Sequence, residues 1–163
     1  MAAALAVPPD VDRDVLARAL TTFRPLAHRL EPVRELDGVL WINDSKATIL
    51  SAVEVALQSV TRPVVLLLGG RPKIASFAPL APHLSGVRAV VAYGEAAPLL
   101  ERDLGAATTL VREGGDFRAV LALARSLAKT GDAVLLAPAC TSFDMFANAE
   151  DRGRQFRALV EAW

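Results

Sequence analysis

The chain contains little cysteine and histidine, and these shortages exclude several classes of protein. Its 163 residues include one cysteine, Cys140, and two histidines, His28 and His83. A single cysteine excludes an internal disulfide framework and a cysteine-rich zinc site, and two distant histidines do not form a metal site. No apolar run reaches the roughly 20 residues of a membrane span, and the N-terminal run lacks the basic flank of a signal peptide. We therefore expect a cytoplasmic protein with no membrane partner and no metal ligands of its own.

Net charge is also absent, since 18 Lys and Arg residues balance 18 Asp and Glu residues. Binding to nucleic acid or to a membrane surface usually requires a basic face, so neither partner is expected. With 53% hydrophobic residues the chain can bury a core, which excludes intrinsic disorder. Its length fits one core domain plus a fragment.

Apolar runs of strand length alternate with helical patterns along the chain. Five runs predict strands, at residues 39–42, 64–68, 87–92, 107–111 and 133–137. Helices are predicted from a capping box at Ser51 or from nearer Thr48, from Glu95, after the N-cap Asp116, and at the C-terminus. Continuously apolar strands are typical of parallel sheets covered on both faces. The pattern predicts an α/β fold with an open, doubly wound, Rossmann-like, mostly parallel sheet of about five to six strands.

Residues 1–22 do not follow this alternation. Pro8 and Pro9 interrupt an Ala-rich helical pattern, and a second helical pattern starts at Asp12. We expect residues 1–22 to be the tail of a preceding domain with a hinge, and residues 23–163 to form the main domain.

Polar segments follow three of the predicted strands directly. They are Asn43–Thr48, Gly69–Lys73 and Pro138–Asp144. In open α/β sheets the ligand crevice lies outside the carboxyl ends of the strands. If the sheet is parallel, all three segments therefore lie on the same rim.

The chemistry of these segments is suited to anions. The predicted helix N-terminus near Thr48 and a second one at Ser142 offer N–H groups and a partial positive charge. Lys46 and Lys73 add full charges, in a chain where only three of the 18 cationic residues are lysine. We therefore expect the rim to bind a phosphate or a carboxylate.

Each of these features has a structural alternative. Gly69-Gly70 can be a strand-ending turn instead of a loop that a ligand approaches, and Asp44 can be the N-cap of the next helix. Cys140 has no histidine close in sequence, so we expect it to be a packing residue and not a nucleophile. His83 is expected at the surface, and His28-Arg29 can be a solvated connection.

Four segments together resemble the Mur ligase family. They occur in the order and spacing of that family and are His28–Glu31, Trp41–Thr48, Gly69–Lys73 and Pro138–Asp144. The resemblance covers nearly the whole chain and is greatest to the members that add D-glutamate. It implies a three-domain cytoplasmic enzyme of peptidoglycan synthesis. Such an enzyme uses ATP and Mg²⁺ to join D-glutamate to UDP-N-acetylmuramoyl-L-alanine through an acyl phosphate.

The resemblance also implies domain and residue assignments. Residues 1–22 would be the end of the central ATPase domain with the hinge, and residues 23–163 the C-terminal domain, which packs against that central domain. Four positions match those that hold the carboxylates of D-glutamate: Lys73, Thr48, Ser142 and the backbone near Phe143. Four others match positions on the ATP side: Arg29, Asp44, Lys46 and His28.

The chain departs from the family pattern at several positions. Ile49 stands where Asn is common, Arg71-Pro72 where Asp-Gly is common, and Ala149 where an aromatic residue is frequent. The 163 residues also contain no GxxxxGK[ST] phosphate-binding loop. We therefore expect a fragment, cut at the hinge, that is inactive alone. The alternative is a stand-alone α/β module that binds a nucleotide or small anion without catalysis.

Overall fold

A mixed β-sheet forms the centre of the protein in a computed structural model, which describes residues 12, 14, 15, 18 and 26–163. The strands in this part of the chain are β1 (Glu31–Leu36), β2 (Val39–Asn43), β3 (Val64–Gly69), β4 (Val87–Tyr93), β5 (Leu110–Glu113) and β6 (Ala133–Leu136). They lie in the order β1-β2-β6-β3-β4-β5. All neighbours are parallel except β1, which is antiparallel to β2. The predicted α/β fold with a mostly parallel sheet is confirmed.

Strand β1 was not predicted, although the sequence contains a signal for it. Asp37-Gly38 joins β1 to β2 with positive φ at both residues, 54° and 75°. Such a two-residue Asp-Gly turn matches the twist of an antiparallel hairpin. Pro32 lacks an N–H group and is accommodated because β1 is an edge strand, with an irregular register between Pro32 and Arg34.

Among residues 26–163, three α-helices connect strands and a fourth follows the last strand. They are α1 (Leu50–Ser59), α2 (Ala97–Leu104), α3 (Phe117–Leu127) and α4 (Ala149–Glu161), and short 3-10 helices lie at Ala78–His83 and Gly94–Ala96. The predicted N-cap of α3 is confirmed, since the Asp116 carboxylate accepts the Ala119 N–H at 2.9 Å. None of the helices in this part of the chain is long and apolar enough to cross a membrane.

One of the two alternatives for the start of α1 is wrong, and so is the predicted helix start at Ser142. The N-cap of α1 is Ile49, which makes no side-chain cap bond, so Ser51 forms no capping box and Asp44 is not the N-cap, whereas the predicted start nearer Thr48 agrees with the structure. Ser142 begins a turn instead of a helix, because its C=O accepts the N–H groups of both Met145 and Phe146. Helix α4 starts later and is capped by the side chain of Asn148.

Helices cover both faces of the sheet. On one face α1 and α2 pack against residues such as Leu66, and on the other α3 and α4 pack against residues such as Leu67. Successive residues of a strand point to opposite faces, so every residue of the central strand β3 is buried. The predicted tail and hinge, residues 1–22, lie outside the described residues except for positions 12, 14, 15 and 18.

Candidate functional site

Three loops meet at one rim of the sheet. They are the β2 loop (residues 44–49), the β3 loop (70–77) and the β6 loop (137–148), and they leave the carboxyl ends of three adjacent parallel strands. The Ala139 N–H donates to the Ala47 C=O at 2.9 Å. Arg71 and Thr141 exchange both of their backbone hydrogen bonds, at 3.0 and 3.1 Å. The shared rim that the sequence predicts is therefore present, and hydrogen bonds join its loops.

The rim presents hydrogen-bond donors from all three loops. The Lys73 ammonium lies 3.5 Å from the Thr48 hydroxyl, which brings the β3 and β2 loops together. Ser142, which is buried, and Phe143, whose side chain is exposed, follow the Arg71–Thr141 pair on the β6 loop. Their two N–H groups donate to no residue of the described part. A cation, hydroxyl groups and unpaired N–H groups are the donors that bind a carboxylate.

A groove beside the rim contains two of the residues predicted for the ATP side. Exposed Arg29 and buried Asp44 line it together with Ala47, Ala52 and Val55. Burial raises the pKa of the Asp44 carboxyl, and a hydrogen bond from the Leu30 backbone and the charge of Arg29 offset only part of this effect. The groove therefore combines an apolar wall with a carboxylate and a guanidinium.

Lys46, the third ATP-side prediction, is turned towards α4. Its ammonium forms an ion pair with Glu150 in the first turn of that helix. The same contact lowers the pKa of Glu150. The structure therefore brings Arg29 and Asp44 together, while Lys46 has a separate partner.

His28 is a buried packing residue. Its Nδ1 accepts a hydrogen bond from the Asn43 amide at 2.9 Å, and its backbone N–H donates to Glu31 at 2.9 Å. A Cβ atom at Gly153 would overlap the imidazole ring. Burial, followed by the charge of Arg157, lowers the pKa of His28. The prediction of a solvated connection holds for exposed Arg29 and is wrong for His28.

The two glycines at the end of β3 allow a close approach of the protein's own backbone and not of a ligand. Gly69 and Gly70 have φ of 156° and 119°, and a Cβ atom at either position would overlap the backbone oxygen of Tyr93 or Thr141. Gly69-Gly70 therefore forms a strand-ending turn, the alternative to a loop that a ligand approaches. Cys140 is buried, and burial raises the pKa of its thiol to about 12, as expected of a packing residue.

Arg152 belongs to the site and was missed by the sequence analysis. Its fully buried guanidinium donates to the hydroxyl and C=O of Ser45, both at 2.9 Å, and to the C=O groups of Cys140 and Thr141. An arginine in a charged helical segment is usually exposed. The spacing of the sequence does indicate its burial, because Arg152, Phe156 and Val160 recur every four residues and therefore lie on one helix face.

Carboxylates near the rim do not form a metal site. A cavity of about 690 Å³ at the ends of β4 and β5 is lined by Glu95, Glu113 and Asp144. Glu95 pairs with Arg71, and Glu113 accepts the N–H of Gly115. Across residues 26–163, no group of three or more His, Cys, Asp and Glu side chains is placed to hold a metal ion.

The comparisons with known proteins agree on one family. The family model described as "Mur ligase, glutamate ligase domain" matches residues 28–140. The UDP-N-acetylmuramoylalanine–D-glutamate ligase of Salinibacter ruber is 46% identical over 153 residues, which cover 93% of this chain and 33% of that protein. The ligase of the same name from Symbiobacterium thermophilum is 44% identical over 146 residues, covering 88% of this chain and 32% of that protein. This chain spans about a third of the length of these relatives.

A solved structure shares the fold. The UDP-N-acetylmuramate–alanine ligase of Thermotoga maritima matches with a TM-score of 0.57, over 91% of this chain and 35% of that protein. The sequence identity is 14%, so this likeness concerns the fold alone.

Protonation of His28 should destabilise the protein in weakly acidic solution. Because the pKa of His28 in the folded chain is below 6.5, the unfolded chain binds a proton more readily, and stability falls as the pH drops below about 6.5. Asn tolerates the positive φ of this position and does not titrate. The variant His28→Asn should therefore lose less unfolding free energy than the wild type between about pH 7.5 and about pH 5.5.

Urea denaturation at the two pH values measures this difference. His83→Asn is the matched control, since it removes the other histidine, which lies partly exposed beside Glu54, as predicted for a surface residue. An equal loss in His28→Asn and the wild type would contradict the assignment.

Removing the charge of Asp44 should stabilise the protein. Burial raises the pKa of this carboxyl, so its ionised form costs folding free energy at neutral pH, and the cost disappears as the pH falls through the raised pKa. Asp44→Asn keeps an oxygen that accepts the Leu30 N–H and should have a higher Tm at neutral pH. Thermal denaturation measures the change, with exposed Asp37→Asn as the control. A lower Tm for Asp44→Asn would disprove the expected cost.

Proposed function

The chain belongs to the Mur ligase family, and we propose that it is the C-terminal domain of a ligase that adds D-glutamate to UDP-N-acetylmuramoyl-L-alanine. In this reaction ATP supplies the phosphoryl group that activates the muramoyl-alanine carboxylate as an acyl phosphate. The amine of D-glutamate attacks the acyl carbon, and the tetrahedral intermediate loses phosphate to leave an amide. The domain binds D-glutamate, closes over the nucleotide, and acts in peptidoglycan synthesis in the cytoplasm.

The contact between Lys73 and Thr48 carries the proposal. It places an ammonium and a hydroxyl on the rim that also bears the free N–H groups of Ser142 and Phe143. D-glutamate has two carboxylates, and each needs several donors. A charge-assisted hydrogen bond is roughly twice as strong as a neutral one. Lys73 therefore supplies the strongest contact, and Thr48, Ser142 and the Phe143 N–H complete the carboxylate site.

Two cations near Lys73 are already paired with carboxylates of the protein, whereas Lys73 is not. The Arg71 guanidinium is held by Glu95 at 2.9 and 3.0 Å, and Lys46 is held by Glu150. No ion pair is found for Lys73 among the described residues. A ligand carboxylate therefore binds Lys73 without first displacing a protein carboxylate.

The proposed site contributes to the reaction by orienting D-glutamate relative to the acyl phosphate. Holding an amine and an acyl phosphate in reacting geometry can lower a barrier by on the order of 7 to 11 kcal/mol. In this proposal the rim residues fix both carboxylates of D-glutamate, which aims its amine. The domain itself supplies binding and orientation, not a nucleophile.

The groove beside the rim fits part of a nucleotide. The Asp44 carboxylate suits a sugar hydroxyl, Arg29 suits a phosphate, and Ala47 and Val55 offer apolar contact. Lys46 lies next to them, whereas the ring of His28 is turned into the protein and supports the groove without lining it. The described residues offer no ligand set for Mg²⁺, so in this proposal the metal is held mainly by the central domain, against which residues 23–163 pack.

Two of the departures from the family pattern, Ile49 and Ala149, lie at the starts of the helices that follow the rim loops. Exposed Ile49 is the N-cap residue of α1, and Ala149 begins α4, where its C=O accepts a hydrogen bond from the Ser45 hydroxyl at 2.7 Å.

The 163-residue chain alone should form no amide product from ATP, D-glutamate and UDP-N-acetylmuramoyl-L-alanine. In this proposal the site closes only between domains, so calorimetric titration with D-glutamate or ADP should show weak binding or none. Steady product formation would contradict the expected inactivity. Micromolar binding of one ligand would instead support a stand-alone module.

Replacing Lys73 in the full-length enzyme should weaken the use of D-glutamate far more than the use of ATP. Loss of a hydrogen bond to a charged group costs about 1.5–3 kcal/mol, so Lys73→Ala should lower kcat/KM for D-glutamate by about 10- to 150-fold. ADP release measured at varied D-glutamate and varied ATP gives both values. Lys129→Ala is the control, because Lys129 precedes β6 at the opposite end of the sheet. Equal effects of Lys73→Ala on both substrates would contradict the assigned role.

A further inference from the structure

Arg152 is a buried cation at a position that stability alone does not favour. Its side chain has 0% exposure, and all of its acceptors are neutral oxygens. It lies in the first turn of α4, where the helix dipole disfavours positive charge. Burying a charge without an opposite charge costs free energy, and apolar residues in such places are often more stabilising. We therefore look for its role in the loop residues to which its side chain is hydrogen-bonded.

The guanidinium connects two of the three loops of the rim, the β2 loop and the β6 loop, and lies beside the third. Nε and Nη2 donate to the hydroxyl and C=O of Ser45 in the β2 loop. Nη1 and Nη2 donate to the C=O of Cys140, and Nη1 also donates to that of Thr141, in the β6 loop at 3.3–3.4 Å. In the β3 loop, a Cβ atom at Gly70 would come within 3.3 Å of Nη1. One planar fork thus joins the β2 loop to the β6 loop.

These bonds also determine where one free N–H group points. The Thr141 C=O accepts from Arg152 at 3.4 Å and from the Arg71 N–H at 3.0 Å. In a trans peptide unit the N–H of the next residue points away from the C=O. The Ser142 N–H therefore points away from the guanidinium, and it has no acceptor among the described residues.

We propose that Arg152 is a positioning residue of the D-glutamate site, which holds the β2 and β6 loops so that Thr48 and the donors of Ser142 converge on one carboxylate. This inference rests on the proposed function. Arg152 does not touch the substrate. It turns three carbonyl groups inward, and this leaves the opposite N–H group for the ligand.

Substitutions of Arg152 in the full-length enzyme test the proposal. Arg152→Lys keeps the charge but loses the planar fork, and Arg152→Met loses both. We expect KM for D-glutamate to rise by about tenfold or more, with the larger rise in Arg152→Met, because hydrogen bonds to a charged group are lost. KM for ATP should stay at the wild-type value. Arg154→Met, in the same helix with an exposed side chain, is the matched control and should leave both values unchanged.

A merely structural role predicts a different result. It would lower Tm and the fraction of active enzyme, and therefore kcat, but would leave KM for D-glutamate unchanged. Ser45→Ala gives an independent test that keeps Arg152 and removes the acceptor of its Nε. If both residues act through one network, the double variant Ser45→Ala/Arg152→Lys should raise KM by less than the product of the single effects. Fully multiplicative effects would overturn the proposal.

The outcomes separate this inference from the proposed function. A wild-type full-length enzyme that releases no ADP in response to D-glutamate would disprove the function itself. An active wild type whose Arg152→Lys variant keeps the wild-type KM for D-glutamate would disprove only the positioning role. If Arg152→Met does not fold, Arg152→Lys and Ser45→Ala still decide the question.

Discussion

The site depends on the insertion of β6 between β2 and β3. This strand is the last in the chain, yet it pairs in parallel with both neighbours and all four of its residues are buried. Its carboxyl end carries the β6 loop, so the pairing places Ser142 between the loops that bear Thr48 and Lys73. Such pairing closes long loops and is costly until the sheet is complete. Folding of the central sheet and assembly of the rim are therefore the same event.

Local charge, and not net charge, determines what this rim can bind. The chain is neutral overall, and two of the cations next to the rim are already paired, Arg71 with Glu95 and Lys46 with Glu150. Lys73 contacts a hydroxyl instead. Exposed ion pairs contribute little stability, but they reduce the number of cations that compete for an anion. The positive field is thereby concentrated on the side of the rim where hydroxyl and N–H donors lie.

The sequence was sufficient for the features that local patterns encode. Apolar runs predicted β2, β3, β4 and β6, and polar residues after three strands predicted a shared rim. The Asp37-Gly38 turn is also typical of a hairpin and accounts for β1, which the apolar runs alone do not predict. Burial of His28 and Arg152 is not encoded locally, because it arises when α4 packs against β1 and β2 and places Gly153 on the imidazole ring. Both residues have polar neighbours in the sequence, yet both are buried in the folded protein.

The costs of this fold are concentrated at the rim. Three of the four non-glycine residues with positive φ in the described part, His28, Leu30 and Ala139, lie on or beside the rim loops, where Asp44 and Arg152 are also buried. Each of these features costs free energy and persists only if the surrounding structure enforces it. At the opposite end of the sheet, buried Asp132 is paired with Arg88. The rim loops therefore carry local costs of the kind that a preorganised binding site carries, which agrees with the ligand site proposed for them.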